Sequence, residues 1–211
     1  PPAHIYVTGN TVIDALLFIL ERTKDQDVLP SELARLPPDR KIILVTAHRR
    51  ENFGKGLENI CIALRRIVQE APEVEIVYPV HLNPNVRAVV LRLLAGIERV
   101  HLLDPLDYVA FVHLMARSYL ILTDSGGIQE EAPTLKKPVL VLRNTTERPE
   151  VLEVGAARLV GTDPQKIVEE TLRLLRNQKD YERMASAGNP FGDGQAAKRT
   201  VKSVVEFLSG D

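Results

Sequence analysis

Four stretches of this 211-residue sequence combine histidine, arginine, serine, glycine and carboxylate residues in a way that suits phosphate binding and proton transfer. They are residues 46–54, 79–84, 123–131 and 143–150. Arginine and backbone N–H groups bind phosphate oxygens, and histidine moves protons near neutral pH. Solvated loops are polar too, but two histidines, several arginines and a Ser-Gly-Gly turn in successive stretches favour a genuine site.

Each of these stretches follows an apolar run whose composition predicts a β-strand. Six such runs occur, over residues 41–46, 74–78, 100–103, 119–123, 138–142 and 157–160. The predicted helices between and after them span 57–68, 84–94, 108–116, 127–135 and 164–176. Continuous apolar strands separated by helices are typical of a parallel sheet covered on both faces. The predicted fold is an α/β, doubly wound, parallel Rossmann-like sheet, whose ligands bind at the carboxyl ends of the strands.

Two further segments lie outside this alternating pattern. Residues 11–22 predict an amphipathic helix capped by Asn10 or Thr11, and a Pro-rich, charged connector follows through Asp39. Residues 195–208 predict a lone C-terminal helix. Neither helix has a strand to cover, so we expect both to pack at an edge of the sheet or against a region outside it.

The composition argues against several classes of protein. Lysine and arginine number 27 against 28 aspartate and glutamate residues, so no basic surface for a nucleic acid or a membrane is expected. The single cysteine, Cys61, excludes an intramolecular disulfide and favours a reducing compartment. The first residues do not resemble a signal peptide, and apolar runs such as 15–20 are too short to span a bilayer. We expect a soluble, cytoplasmic protein.

The Ser125-Gly126-Gly127 turn is the most specific phosphate signal. It closes a predicted strand and opens a helix, so its N–H groups face outward at a positive helix end. The sequence matches neither the Walker motif nor Gly-x-Gly-x-x-Gly, which argues against an NTPase and an NAD enzyme. A nucleoside diphosphate is the favoured ligand, and a tight turn without a ligand is the alternative.

The charged residues around this turn allow two interpretations each. Glu130 and Glu131 could stabilise the start of the predicted helix, because carboxylates are favourable near a helix N-terminus. Alternatively, one of them could accept hydrogen bonds from ribose hydroxyl groups. Adjacent helical residues point in different directions, so at most one should serve the ligand. Arg143 and Arg148 offer planar forks for phosphate or carboxylate, unless they pair with the neighbouring glutamates on the surface.

His48 and His81 are candidates for a phosphate contact or for proton transfer. A metal site is disfavoured because no cysteine or aspartate partner occurs at ligand spacing. His101 and His113 are expected to be structural.

Six motifs carry a family resemblance: residues 7–14, 46–52, 79–84, 123–131, 145–150 and 189–194. In this order they resemble the non-hydrolysing UDP-N-acetylglucosamine 2-epimerases, and they span almost the whole chain. The resemblance implies one half of a glycosyltransferase-B-like enzyme, in which two Rossmann-like domains enclose the active site. It also implies three parts of this chain: an interdomain crossover over 1–39, a UDP-binding domain over 40–188, and a C-terminal helical segment over 189–211 that returns to the other domain.

The resemblance assigns roles to the residues at the diphosphate. His48 resembles the active-site, catalytic histidine of the family. His81 resembles a second histidine beside the diphosphate. Ser125, Gly126 and Gly127 match the phosphate-binding turn.

The resemblance also assigns residues to the nucleoside and the cleft. Glu131 matches the carboxylate that holds the ribose, and Arg148 matches an arginine of the cleft. Phe111, otherwise a core candidate, matches a position against the uracil ring. Leu106 matches a contact to the uracil edge, which an apolar residue makes only through its backbone.

The implied activity is that of an isomerase. It inverts carbon 2 of UDP-N-acetylglucosamine reversibly to give UDP-N-acetylmannosamine, through loss of UDP, a 2-acetamidoglucal and re-addition of UDP. No metal, nicotinamide or other cofactor is implied. The family's other domain supplies acidic groups around the sugar, so we expect this chain alone to bind UDP weakly and to catalyse nothing. The family is usually dimeric.

Three other functions remain open from the sequence. A glycosyltransferase of the same architecture also binds a nucleotide sugar through a glycine-rich turn. A hydrolysing epimerase would release free N-acetylmannosamine. A single-domain, non-catalytic nucleotide-sugar sensor would lack a second Rossmann-like half.

Overall fold

The computed structural model describes residues 4–209, and its centre is a six-stranded parallel sheet in the order β3-β2-β1-β4-β5-β6. The strands are β1 (Lys41–Thr46), β2 (Val74–Pro79), β3 (Val100–Leu103), β4 (Leu120–Thr123), β5 (Val139–Val141) and β6 (Ala157–Leu159). The order reverses beside β1, because the chain winds outward through β2 and β3 and then returns to β4 on the other side. The predicted doubly wound fold is confirmed.

Ten helices accompany the sheet within the described residues. They are α1 (Thr11–Arg22), α2 (Ser31–Ala34), α3 (Lys55–Glu70), α4 (Pro84–Leu94), α5 (Tyr108–Arg117), α6 (Gly126–Glu131), α7 (Pro149–Glu153), α8 (Pro164–Arg176), α9 (Gln178–Ala185) and α10 (Ala196–Ser209). None of these helices is both long enough and apolar enough to cross a membrane.

Alternate strand residues divide the core into two layers, one on each face of the sheet. Ile43 and Val45 of β1 face the layer made by α3, α4 and α8. Ile42 and Leu44 face the layer that contains residues of α1, α5, α6 and α7. Both faces of the central strands are buried, which is why these strands read as continuous apolar runs rather than as alternating ones.

Several helical expectations need correction. The helix predicted over 127–135 begins one residue earlier, at Gly126, and its α-helical part ends at Glu131. A 3₁₀ turn over Ala132–Leu135 follows, and Pro133 lies at its start, where it has no N–H to continue the α-helical pattern. The short helices α2, α7 and α9 were not predicted, because four to eight residues contain too few turns for apolar periodicity.

The predicted N-cap position of α1 is confirmed but no side-chain cap hydrogen bond forms there, whereas the N-cap aspartate of α8 does form one. Asn10 occupies the N-cap position of α1, but its side chain donates to Oε2 of Glu130 at 2.9 Å and makes no cap hydrogen bond. Asp163 accepts the N–H of Lys166 at 2.8 Å, as an N-cap aspartate should.

The helices α1 and α10 meet each other. Ile13 and Leu16 of α1 are fully buried, and α1 contacts α5 and α6. Asp14 of α1 accepts the N–H groups of Ala196 and Ala197 at 3.1 and 2.9 Å and so caps α10. The helix α1 is therefore part of one helical layer, and the first turn of α10 is fixed to it.

Candidate functional site

A cavity of about 180 Å³ lies at the carboxyl ends of the central strands, where the strand order reverses. Open α/β sheets bind their ligands at this position. Five of the predicted site residues line the cavity, namely His48, His81, Leu106, Phe111 and Ser125. Thr46, Pro79, Pro105 and Ile128 complete the lining. The structure thus brings together residues as distant in the sequence as Thr46 and Ile128.

The Ser125-Gly126-Gly127 turn connects β4 to α6 beside this cavity. The N–H of Ser125 donates to Oγ1 of Thr123 at 2.9 Å, and this oxygen lies 2.6 Å from Oγ1 of Thr46 on β1. The first N–H groups of α6 have no acceptor within their own helix. A methyl group placed on Gly126 would lie 3.6 Å from Nη2 of Arg49, so a guanidinium group lies beside the turn. This arrangement suits an anion.

Asp124 fixes the loop that carries His48. Its carboxylate is fully buried, and its Oδ2 accepts the N–H groups of His48 and Arg49 at 2.9 and 2.8 Å. Asn52 donates to the same oxygen at 3.0 Å. The sequence prediction included Asp124 and Arg49 only as members of motifs. Their position immediately after β4 and β1 was the available signal.

His48 and His81 stack on each other at the mouth of the cavity. Their ring centroids are 5.2 Å apart and their planes differ by 24°. Nδ1 of His81 accepts the N–H of Asn83 at 3.0 Å, so neutral His81 carries its proton on Nε2. Burial lowers the pKa of His48, His81 and Arg49 lower it further, and the carboxylate of Asp124 opposes them. His48 is therefore neutral at pH 7 and able to accept a proton.

Glu131 lies on α6 next to α5. It is buried, and its Oε1 accepts a hydrogen bond from the hydroxyl group of Tyr108 at 2.6 Å. Burial raises the pKa of Glu131, and the neighbouring Glu130 raises it too, while the hydrogen bond from Tyr108 lowers it. Phe111, which lines the cavity, lies one turn after Tyr108 on α5. The position of Tyr108 beside Glu131 was not predicted.

Arg148 does not line the cavity. Its guanidinium pairs with Oε1 of Glu130, and Oε2 of Glu130 accepts the side-chain N–H of Asn10. The alternative in which Arg148 forms a surface pair with Glu147 or Glu150 is therefore wrong, since the partner carboxylate is the largely buried Glu130 of α6. Arg148 is nevertheless adjacent to α6, which begins at the Ser-Gly-Gly turn.

Arg143 follows β5 and joins two loops of the site. It is buried and binds Glu51, from the loop after β1, and Glu147, from its own loop. The hydrogen bonds from Arg143 lower the pKa of Glu147 to about 2. Arg143 therefore pairs with the neighbouring, exposed Glu147, as one alternative from the sequence allowed, while its own guanidinium group is buried.

His101 and His113 have structural partners, as expected. Nε2 of His101 lies 2.8 Å from Oε2 of Glu75, and Nε2 of His113 lies 2.7 Å from Oγ1 of Thr23. Within residues 4–209, no three or more histidine, cysteine, aspartate or glutamate residues are grouped so that they could hold a metal ion.

Residues 1–205 match the family described as UDP-N-acetylglucosamine 2-epimerase. The chain belongs to this family. A UDP-N-acetylglucosamine 2-epimerase from Escherichia coli K12 is 55% identical over 206 residues, which cover 96% of this chain and 55% of the relative. The chain spans about half the length of the curated relatives that it matches.

Solved structures of the epimerase family have the same fold. A UDP-GlcNAc 2-epimerase from Neisseria meningitidis, crystallised with UDP-GlcNAc bound, superposes with a TM-score of 0.93 at 45% identity. The match covers 98% of this chain and 56% of that one. The C-terminal domain of a group 1 glycosyltransferase from Francisella tularensis superposes with a TM-score of 0.57 at 15% identity, which is a likeness of fold alone.

Proposed function

We propose that this chain is the nucleotide-binding half of a UDP-N-acetylglucosamine 2-epimerase. The complete enzyme interconverts UDP-N-acetylglucosamine and UDP-N-acetylmannosamine by elimination and re-addition of UDP. The observation that carries the proposal is the cavity at the strand-order reversal, with two stacked histidines and the Ser-Gly-Gly turn at its edge. The membership of the chain in the epimerase family supports the same activity.

The uridine part of the ligand fits the apolar side of the cavity. We assign the uracil ring to Phe111 and to the backbone at Leu106, which line the cavity. We assign the ribose hydroxyl groups to the buried carboxylate of Glu131, which is not itself among the lining residues. A stacked aromatic ring and a buried hydrogen-bond acceptor are suitable partners for a nucleoside. Tyr108 holds one oxygen of Glu131, which fixes the direction of the carboxylate.

The diphosphate fits the polar side of the cavity. We assign it to Ser125, Gly126 and Gly127, whose N–H groups open α6, with His81 beside it. Arg49 adds a positive charge at Gly126. When UDP leaves carbon 1 of the sugar, negative charge develops on the diphosphate, and preformed donors stabilise it. Arg148 would join them only by leaving Glu130.

His48 is the candidate for proton transfer. It lines the cavity, and its lowered pKa leaves the imidazole neutral at pH 7, ready to accept a proton. The elimination route needs no nicotinamide and no metal ion, because the charge of the leaving diphosphate is balanced by protein groups.

The size of the cavity supports a site shared between domains. Small-molecule sites that enclose most of their ligand measure roughly 300–1,000 Å³. The cavity of about 180 Å³ can enclose only part of a UDP-sugar. We propose that the remaining half of the enzyme's length covers the sugar and supplies further acid and base groups.

The proposed division of the chain is the one that the family resemblance implies. Residues 40–188 form the UDP-binding domain, and residues 1–39 and 189–211 form the crossover segments that meet the second domain. Residues 1–3 and 210–211 of these segments lie outside the described residues. We further propose that the complete enzyme is a cytoplasmic homodimer.

The decisive experiment uses the complete protein and UDP-N-acetylglucosamine in heavy water, followed by proton NMR. Deuterium at carbon 2 together with UDP-N-acetylmannosamine is the expected result. Free N-acetylmannosamine with UDP would assign the hydrolysing reaction instead. Unlabelled, unchanged substrate with intact UDP binding would favour a sugar transferase or a sensor. The 211-residue chain itself should bind UDP weakly in a calorimeter and should give no turnover.

A further inference from the structure

The carboxylate of Asp124 has one oxygen in use and one oxygen without a hydrogen bond. Oδ2 accepts three hydrogen bonds, from the N–H groups of His48 and Arg49 and from the side chain of Asn52. Oδ1 is buried and has no hydrogen-bond partner within the part of the chain that the structure describes. An unpaired buried carboxylate oxygen is costly, so a nearby donor is expected to use it.

The imidazole of His48 is a donor that can reach Oδ1. Its Nδ1 lies 4.0 Å from Oδ1, and its backbone is already held by the other oxygen of the same carboxylate. A rotation of the ring that moves Nδ1 by about 1 Å would bring the pair to hydrogen-bond distance. The side chain of His48 is 37% exposed, which leaves room for this rotation.

We propose that Asp124 is the positioning residue of His48, with Oδ1 accepting the Nδ1 proton of the imidazole. This proposal rests on the proposed function, in which His48 transfers a proton. With the proton fixed on Nδ1, the lone pair of neutral His48 is on Nε2, the nitrogen at the far side of the ring from Asp124. Carboxylates hold histidine bases in one tautomer in this way in other enzymes.

Asp124 favours the charged form of His48, whereas burial and the two neighbouring cationic or titratable side chains disfavour it. His81, from the loop after β2, stacks on the ring, and Arg49 directly follows His48 in the loop after β1. Both side chains disfavour a charged imidazole. Burial acts in the same direction. The carboxylate of Asp124, at the end of β4, favours the imidazolium form that exists after His48 has taken up a proton.

A purely structural role for Asp124 predicts different behaviour. In that case Oδ2 would anchor the loop, and the tautomer of His48 would not depend on Oδ1. The substitution Asp124→Asn separates the two roles, because the amide oxygen can still accept the backbone N–H groups. Its NH₂ group would face Nδ1 of His48 as a donor and so reverse the hydrogen bond.

The test measures the tautomer and the pKa of His48 by ¹⁵N NMR of the histidine-labelled chain without ligand, with His48→Gln to assign the signal. We expect the Nδ1–H tautomer in the unchanged protein. We expect the Nε2–H tautomer in D124N, with a His48 pKa lower by about one unit. The same tautomer and pKa in both proteins would overturn the proposal.

A matched control removes a buried carboxylate beside a different histidine. Glu75 lies on β2 and pairs with His101. The substitution Glu75→Gln should therefore change the tautomer or pKa of His101 and leave the tautomer of His48 unchanged. If D124N fails to fold, the unchanged protein alone still decides, because an Nε2–H tautomer there would refute the proposed hydrogen bond. The heavy-water experiment on the complete protein tests the proposed function, so the two proposals can fail independently.

Discussion

At the scale of single residues, Glu130 joins three distant parts of the chain. Its carboxylate pairs with Arg148 after β5 and accepts the side chain of Asn10 before α1. Its carbonyl oxygen accepts the side-chain N–H of Asn189. The sequence allowed Glu130 to be a capping residue or a ligand residue. In the structure its contacts are instead structural, because they connect α6 to Arg148, Asn10 and Asn189. Glu131, its neighbour, points instead toward Tyr108.

Glu130→Gln tests this structural role. The amide keeps the size of the side chain but loses the charge that both Arg148 and Asn10 use, so the free energy of unfolding should fall by about 1–3 kcal/mol. Urea denaturation followed by circular dichroism measures the change. Glu150→Gln, at an exposed glutamate of α7, is the control and should leave the denaturation midpoint unchanged. Equal midpoints for Glu130→Gln and the unchanged protein would contradict this structural role.

The binding of UDP should depend on pH through Glu131. Burial raises the pKa of this carboxyl group, so it becomes protonated at a higher pH than an ordinary glutamate. The protonated form is a poorer acceptor for ribose hydroxyl groups, and UDP affinity should fall as the pH is lowered from neutral toward about 5. Calorimetry over this range measures the loss of affinity.

Two variants separate Glu131 from other titrating groups, including those of UDP itself. Glu131→Gln should bind UDP more weakly at neutral pH and should lose the part of the pH dependence that comes from this carboxyl group. Tyr108→Phe removes the hydrogen bond that lowers the pKa of Glu131, so the fall in affinity should move to higher pH. Identical pH profiles for all three proteins would show that Glu131 does not hold the ligand.

At the scale of elements, two motifs at opposite ends of the sequence form one joint. Residues 7–14 lead into α1, and residues 189–194 lead into α10. Asn10 donates its N–H to the carbonyl of Phe191 at 2.8 Å, and Asp14 caps α10. Gly194 has a φ of +78°, and a methyl group there would lie 2.5 Å from Leu17 of α1. The close approach of the two segments explains why both carry glycine and short polar residues.

Asp14→Ala tests the joint between α1 and α10. Loss of an N-cap carboxylate should lower the free energy of unfolding by about 1 kcal/mol. It should also increase amide hydrogen exchange in the first turn of α10, because Ala196 and Ala197 lose their acceptor. Asp25→Ala, at an exposed aspartate after α1, is the control. Unchanged exchange at Ala196 and Ala197 in Asp14→Ala would show that the cap does not hold α10.

At the scale of the whole molecule, the sequence predicted what depends on local pattern. The six strands could be found because each is an uninterrupted apolar run, and the site could be placed because polar residues follow those runs. The predicted ends of β5 and β6 were less accurate, because each of these strands has only three residues in the structure and both lie toward one edge of the sheet.

The pairings between loops could not be predicted. Arg143 and Glu51 are 92 positions apart, and Asn10 and Glu130 are 120 apart. No local spacing determines such pairs, since they depend on how the helices cross in the folded chain. The same limit applies to Asp124, whose partners come from the end of a strand adjacent in space but not in sequence.

The outer face of α10 is an apolar surface that the described chain leaves uncovered. Phe207 and Leu208 are 59% and 77% exposed, and with Val204 and Tyr6 they line a groove of about 450 Å³. Contiguous exposed apolar surface is a site of association. We expect the 211-residue chain to self-associate through this face in proportion to its concentration.

The double substitution Phe207→Lys with Leu208→Lys tests this expectation. Two charges on the groove oppose its burial against a second molecule, so light scattering after size exclusion should give a lower average mass at the same concentration. The affinity for UDP should stay the same, because the groove shares no residue with the cavity. Val154→Lys, at an exposed apolar residue away from α10, is the matched control and should leave the mass unchanged. If Val154→Lys lowers the mass and the double variant does not, the chain associates through the β6 side, and the face of α10 is not the contact.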